Sequence, residues 1–258
     1  MTKLISVKQV TFSLAIASII TACGGSGGGE TKTTNDTGNN SSSSGSIMHN
    51  GTTYGIVKSP YTGKIWLDRN LGAARVCESY NDTACYGDYY QWGRNFDGHQ
   101  DSTSATTNIQ ATNINSPGAN FITPNVLYYD WASYDWVSTV DYNGNLRSAN
   151  WSKVDGSSVC PKGFRVPTFS ELKTETLNNG VVNRDTAFSN FLKLPSAGVR
   201  HQSNGSMFDV GLWGSIWTSS VSDGSRPGSY GIHYYVSSAK WYESDVRSYG
   251  RSVRCIKN

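Results

Sequence analysis

The cysteines constrain this chain more than any other feature. There are five: Cys23, Cys77, Cys85, Cys160 and Cys255. Cys23 follows Ile20-Thr21-Ala22, at the end of an apolar run from Val10 to Ile20 that Lys3 and Lys8 precede. This is the layout of an export signal, and the run is too short to span a membrane as a helix. Small residues before a cysteine resemble a bacterial lipobox, so Cys23 is the expected lipidation site. The alternative is an ordinary signal peptide cut near Ala22. With Cys23 taken by lipid, four cysteines remain in an exported chain, and an even number implies two disulfides. Cys77 and Cys85 flank a polar loop, Glu78 to Ala84, that a local bridge would close. That leaves Cys160 to pair with Cys255. No Cys-x-x-Cys pair and no histidine at ligand spacing supports a metal site instead.

Three segments follow from this reading. Residues 1–22 are a signal peptide. Residues 23–46 are an acylated cysteine and a Gly/Ser/Asn linker with too little apolar surface to offset its ordering entropy. Residues 47–258 are one domain, long enough for a sizeable core. The formal charge is +3, and loss of Lys3 and Lys8 takes two from it, leaving +1. No basic run stands out, which excludes an electrostatic footprint for nucleic acid. The expected location is the outer membrane surface of a bacterium, held through lipid alone.

The domain is organised around Val159 to Leu172. Pro161 and Gly163 mark a turn. Phe164 and Val166 alternate with Arg165 as a half-buried strand would, and Pro167 ends it. Thr168 and Glu171 have capping-box spacing, which predicts a helix from Phe169 to about Asn179 with Gly180 as its stop. Upstream, Thr53–Val57 and Lys64–Asp68 read as a hairpin. Downstream, strands are expected at Ser196–His201, Leu212–Ser220, Ile232–Val236 and Ser252–Ile256, with a turn at Asn204-Gly205. Ala187–Leu192 reads as a helical turn or a short strand. Residues 95–150 form a long polar insertion with scattered aromatic anchors. The pattern is α+β, with mainly antiparallel short strands and one or two short helices.

Five motifs occur in order: Trp66-Leu67-Asp68-Arg69-Asn70-Leu71-Gly72-Ala73, Cys160 to Thr168, Ser196-Ala197-Gly198-Val199-Arg200, Trp217-Thr218-Ser219-Ser220 and Ser252-Val253-Arg254-Cys255. Together they resemble the Fibrobacter succinogenes major paralogous domain family, over about residues 54 to 258. The resemblance implies a C-type-lectin-like fold, related to that of the formylglycine-generating enzymes. It agrees with a Cys160–Cys255 bridge. The motifs themselves read as framework: Arg69, Arg165 and Arg254 as packing residues, and the tryptophans as core.

Few signals for chemistry are present. Glu-Pro-Asn, Gln-Pro-Asn and Trp-Asn-Asp, which a calcium-dependent lectin would carry, are missing. Asp141 to Asn145 alternates oxygens as calcium loops do, but Leu146 and Ser152 stand where Gly and Glu are needed, so a plain turn is expected. Asp97, His99 and Asp101 read as a solvated trio. Within residues 47–258 neither Gly-x-Ser-x-Gly nor His-Glu-x-x-His is present. The domain's four cysteines are used as staples, so the formylglycine-generating oxidase activity is not carried over, and no cofactor is expected.

The expected function is therefore a surface-displayed, non-catalytic ligand-binding or adhesion lipoprotein, whose partner is a protein or glycan. The alternatives are an oxidase of the formylglycine-generating type and a structural envelope lipoprotein. The expected binding surface lies within Ser222–Tyr249, which is rich in Tyr, Ser, Asp, Arg and Gly, as antibody paratopes are in Tyr, Ser and Gly. Tyr230, His233, Tyr235, Trp241, Tyr242, Asp245 and Arg247 are its candidate ligand-facing residues. Retroelement diversification is a further expectation for this segment, with Lys240, Trp241 and Glu243 fixed or outside the variable codons.

Overall fold

The computed structural model describes residues 45–125, 131–138, 140–222 and 228–258, all within one compact unit, Ser42–Asn258. The expected signal segment, the expected lipidation site Cys23 and the linker to residue 44 lie outside the described residues. So do residues 223–227 of the expected binding segment. Among the described residues, no helix is long and apolar enough to cross a membrane.

Among the described residues there are five small sheets and a few short helices, consistent with α+β, and nearly all strand pairs are antiparallel. The framework sheet joins Ile56–Lys58, Ile65–Leu67, Ile256–Lys257 and Phe164–Arg165 in that order. The last strand thus lies between the first hairpin and the strand before the capped helix. Cys255, next to it, is bonded to Cys160. The second bridge joins Cys77 and Cys85 across their loop. Both expected pairings are present.

The expected strand Thr53–Val57 is in fact two. Thr52–Tyr54 pairs with Ile47–His49, whereas Ile56–Lys58 pairs with Ile65–Leu67. Gly55 lies between them, where a Cβ would come within 2.6 Å of the Asp68 carboxylate. The capping box at Thr168 and Glu171 is formed, but the α-helix spans only Phe169–Glu175. At Thr176 the backbone leaves helical geometry and a 3-10 turn, Leu177–Asn179, follows, ending at left-handed Gly180. The Thr176 hydroxyl bonds back to the Leu172 carbonyl at 2.6 Å, a side-chain contact that competes with the helix ladder. Ala187 lies in a second capped helix, Arg184–Ser189.

The family-like motifs are the core. Trp66, Leu67, Asn70, Cys160, Val166, Ser196, Trp217, Thr218, Val253 and Arg254 are all fully or almost fully buried. Arg254 donates to the Leu192 carbonyl at 2.8 Å and to Asn70 Oδ1 at 3.0 Å, so it ties the chain's end to two earlier turns. Trp66, Trp92, Trp136, Trp151 and Trp217 have no more than marginal exposure.

The insertion is held by two kinds of anchor. Trp136 and Trp151 are the expected aromatic ones, donating from Nε1 to the Trp92 and Arg94 carbonyls at 2.7 and 3.0 Å. The others are buried arginines. Arg94 reaches Asp97 and the Gly118 and Asn120 carbonyls. Arg147 holds Asp135 through two bonds of 2.6 and 2.8 Å. Loop backbone has no ladder partners, so a guanidinium with five donors satisfies it economically. Asp97 and His99 belong to this scaffold. His99 is fully buried and Asp97 half-buried, so the solvated reading of the trio holds for Asp101 alone. Asp141 accepts from the Leu146 and Arg147 amides at 2.9 and 3.0 Å and caps the helix Asn145–Trp151.

Candidate functional site

The site grows out of the three-stranded sheet Gly214–Val221, Ser229–Tyr234 and Ala239–Asp245. Its middle strand sends Ile232 and Tyr234 into the core beneath the capped helix. Residues across a strand alternate faces, so His233 points the other way. The expected strand to Val236 stops at Tyr234. Tyr235 donates its N–H to the Ser238 carbonyl at 2.6 Å, closing a turn that leaves Val236 exposed.

A bulge decides which side chains meet. Ser229 pairs with Asp245 and Gly231 with Tyr242, so the third strand carries one extra residue between them. Tyr242 and Asp245 are three apart and would face opposite ways on a regular strand. The bulge puts both on the His233 face. Gly231 makes room: a Cβ there would lie 2.9 Å from Asp245 Oδ2.

On that face lies a cleft of about 220 Å³. Its floor is a buried polar cluster. Arg251 donates to Asp245 Oδ2 at 2.6 Å and Oδ1 at 2.9 Å, and to Ser215 Oγ at 2.8 Å. His233 Nε2 meets Asp245 Oδ2 at 2.7 Å and also touches the Arg251 guanidinium. Trp217 supports that guanidinium from below, 4.5 Å from ring centre to Cζ. Burial and the Arg251 charge push the His233 pKa down to about 4 against the pull of Asp245, so the ring is neutral near pH 7. Burial raises the Asp245 pKa, but Arg251 and His233 outweigh it and the carboxyl sits below its ordinary value.

The walls are aromatic. Trp213 and Tyr235 stack with centroids 5.2 Å apart and planes at 20°. Tyr242 covers His233 at 4.3 Å. Opposite them, His201 meets Tyr249 edge-on at 5.1 Å and Phe208 at 5.9 Å. Trp213 is fixed by its indole N–H, which donates to Asp209 Oδ2 at 2.7 Å. Lys240 lies at the rim, 5.0 Å from the Tyr242 ring centre, and its bond to the Tyr242 hydroxyl, with that from Tyr235, pulls the phenol pKa down.

The seven sequence-derived candidates are thus divided. His233, Tyr235, Tyr242 and Asp245 line the cleft, although His233 and Asp245 are floor residues rather than exposed ones. Tyr230 and Trp241 lie on the opposite face. There Phe169 stacks on Tyr230 at 4.5 Å, and Lys173 sits 4.1 Å from the Trp241 ring centre. Arg247 belongs to neither face. It is buried, donates to the Tyr142 carbonyl at 2.8 Å and to Asp135 at 3.3 Å, and anchors the insertion. Reading the sequence missed His201, Phe208, Trp213, Tyr249 and Arg251. The available signal was the density of aromatic residues and histidine at the ends of the short strands around 200, 213 and 250.

Chemically, the cleft offers flat faces and hydroxyl and imidazole groups over a charge-balanced floor. Ser215, His233 and Asp245 share a sheet face, but they do not form a nucleophile–base pair. The Ser215 hydroxyl takes its bond from Arg251, while His233 Nδ1 faces the Tyr235 hydroxyl at 3.3 Å. Among the described residues no group of three His, Cys, Asp or Glu side chains could hold a metal ion. All four described cysteines are in disulfides. Compared with known proteins, the chain matches no family model, no curated protein and no solved structure.

Proposed function

We propose that this is a surface-displayed, lipid-anchored binding protein without catalytic activity, and that its ligand enters the aromatic cleft. The carrying observation is the cleft itself: five aromatic side chains and two imidazoles around a preset Arg251–Asp245 pair. Rigid aromatic walls give contact area at low entropy cost, and a bonded floor needs no reorganisation when a ligand arrives. The C-type-lectin-like fold and membership of the Fibrobacter succinogenes major paralogous domain family are part of the proposal. They are supported by five ordered motifs whose residues form the buried framework. The export signal and Cys23 support display at the bacterial outer membrane. Retroelement diversification of the segment would be confined to wall positions such as Tyr235 and Tyr242, because Asp245 and Arg247 hold buried networks. A neighbouring reverse-transcriptase gene with a near-copy of these codons tests that part.

The binding proposal is tested on the full chain by saturation-transfer NMR with a mixed library of sugars, amino acids and aromatic fragments. Hits should be lost in Tyr242→Ala and kept in Trp241→Ala, since the two rings lie on opposite faces. Hits that depend on Trp241 and not on Tyr242, or no hits at all, overturn it. The anchoring part is separate: Cys23→Ser should move the protein from the membrane to the soluble fraction.

A further inference from the structure

We infer that the cleft takes one uncharged pyranose ring, the terminal sugar of a glycan, and that it does so without a metal ion. This rests on the binding reading above and adds the ligand's chemistry to it.

Size comes first. About 220 Å³ falls below the roughly 300–1,000 Å³ of sites that hold drug-sized ligands, so the cleft admits a single ring. Charge comes second. Both Asp245 oxygens are occupied by Arg251, and His233 is neutral. A cationic ligand would have to displace a bidentate guanidinium from its carboxylate. An anionic one would find the Arg251 fork already taken and Asp245 beside it. The floor therefore selects against net charge of either sign.

The walls then separate a polyhydroxyl ring from an apolar one. Trp213, stacked on Tyr235, tilted against His233 and held at Nε1 by Asp209, fixes an aromatic wall whose ring faces are electronegative at their centres. The C–H face of a pyranose carries the complementary polarity. Around that face stand the hydroxyls of Tyr235, Tyr242 and Tyr249 and the imidazole of His201. Hydroxyls donate and accept, as sugar hydroxyls do, so each can serve a ring substituent in either sense. Their mutual bonds are long, 3.5 Å between Tyr235 and Tyr242 and 3.3 Å between Tyr249 and His201, so a purely apolar ligand would cover them with much of their bonding capacity unmet, at a cost for each. Metal independence follows from the same contacts. Among the described residues Asp245 is the one carboxylate lining the cleft, and its oxygens are already engaged.

The test uses the full chain with glucose, galactose, mannose and N-acetylglucosamine. Glucuronate and tetramethylammonium serve as charged comparisons. Saturation-transfer NMR and tryptophan fluorescence are the readouts. At least one neutral sugar should bind, equally well in EDTA. Its affinity should fall by about tenfold in Trp213→Ala, the scale of one lost aromatic contact. Tyr242→Phe keeps the ring and removes one hydroxyl, so a smaller loss there guards against misfolding as the cause. The inference is overturned if no neutral sugar binds, if only a charged probe binds, if EDTA abolishes binding, or if neither variant weakens it. A non-sugar fragment that still needs Tyr242 would leave the binding reading standing and remove the sugar.

Discussion

Acid should weaken this fold well above the pH at which ordinary carboxylates titrate, and one carboxyl should soften the effect. His99 and His233 are both buried, and burial takes each from 6.5 to about 4. His99 has a structural reason to stay neutral: Nε2 accepts the Gln91 amide at 3.0 Å while Nδ1 faces Asp97. The unfolded chain binds these two protons first, so stability is lost as pH falls through 6.5. Asp88 works the other way. Burial raises it from 3.8 to about 6, so the folded protein takes that proton first and gains stability as pH falls through 6. At about 1.4 kcal/mol for each pKa unit, going from pH 7.5 to 5 costs ~2 kcal/mol per histidine and returns ~1 kcal/mol from Asp88. The net loss is ~3 kcal/mol. Asp88→Asn keeps the shape and its contact with the Tyr90 hydroxyl but removes the opposing proton, so its loss should be ~4 kcal/mol. The assay is urea unfolding followed by tryptophan fluorescence at constant ionic strength, between pH 7.5 and 5. A flat wild-type profile would refute the burial argument for the histidines. Parallel profiles for wild type and Asp88→Asn would refute it for Asp88.

Two further outcomes concern the framework. Thr168→Ala should cost about 1 kcal/mol by removing the N-cap, seen as a lower denaturation midpoint; an unchanged midpoint would mean the capping box does not hold the helix start. Replacing both Cys160 and Cys255 by Ser should cost ~4–5 kcal/mol, because the bridge closes a 95-residue separation. The same change at Cys77 and Cys85, 8 residues apart, should cost ~2–3 kcal/mol, and equal losses would contradict the loop-length reasoning.

What was legible in the sequence was local or covalent. Thr168 and Glu171 signal a helix start because both partners of the capping box lie within one turn. The disulfides follow from counting. The first hairpin follows from two short apolar runs and a turn. Arg247 illustrates the opposite case. Beside Asp245 and Tyr249 it reads as part of a paratope-like segment, yet its partners are Asp135 and the Tyr142 carbonyl, more than a hundred residues earlier. A guanidinium that satisfies a distant loop leaves no periodicity to read. Arg200 is alike, reaching back to the His99 and Asp101 carbonyls. Arg94 and Arg147 bond to nearer loop groups, the Gly118 carbonyl and Asp135 among them, that carry no periodic pattern either. The arginine anchors were therefore invisible while the tryptophans were not.

The cleft was half legible for a geometric reason. Strict alternation puts His233 and Tyr235 on one face and predicts nothing about Tyr242 and Asp245 together, since three residues separate them. The bulge between Ser229 and Gly231 on one strand and Asp245 and Tyr242 on the next reverses that parity. Once Asp245 turns onto the His233 face, it needs a cation. Arg251 supplies one from the strand Gly250–Arg251, which the framework fixes against Tyr90. Arg251 in turn needs a surface to lie on, and Trp217, a residue of the buried framework, provides it. The wall residues Trp213, Tyr235 and Tyr242 sit outside this chain of dependence: each can change without leaving a buried charge unpaired. A fold built this way keeps its floor constant and leaves its walls free to vary, the division of labour that the proposed binding role would require.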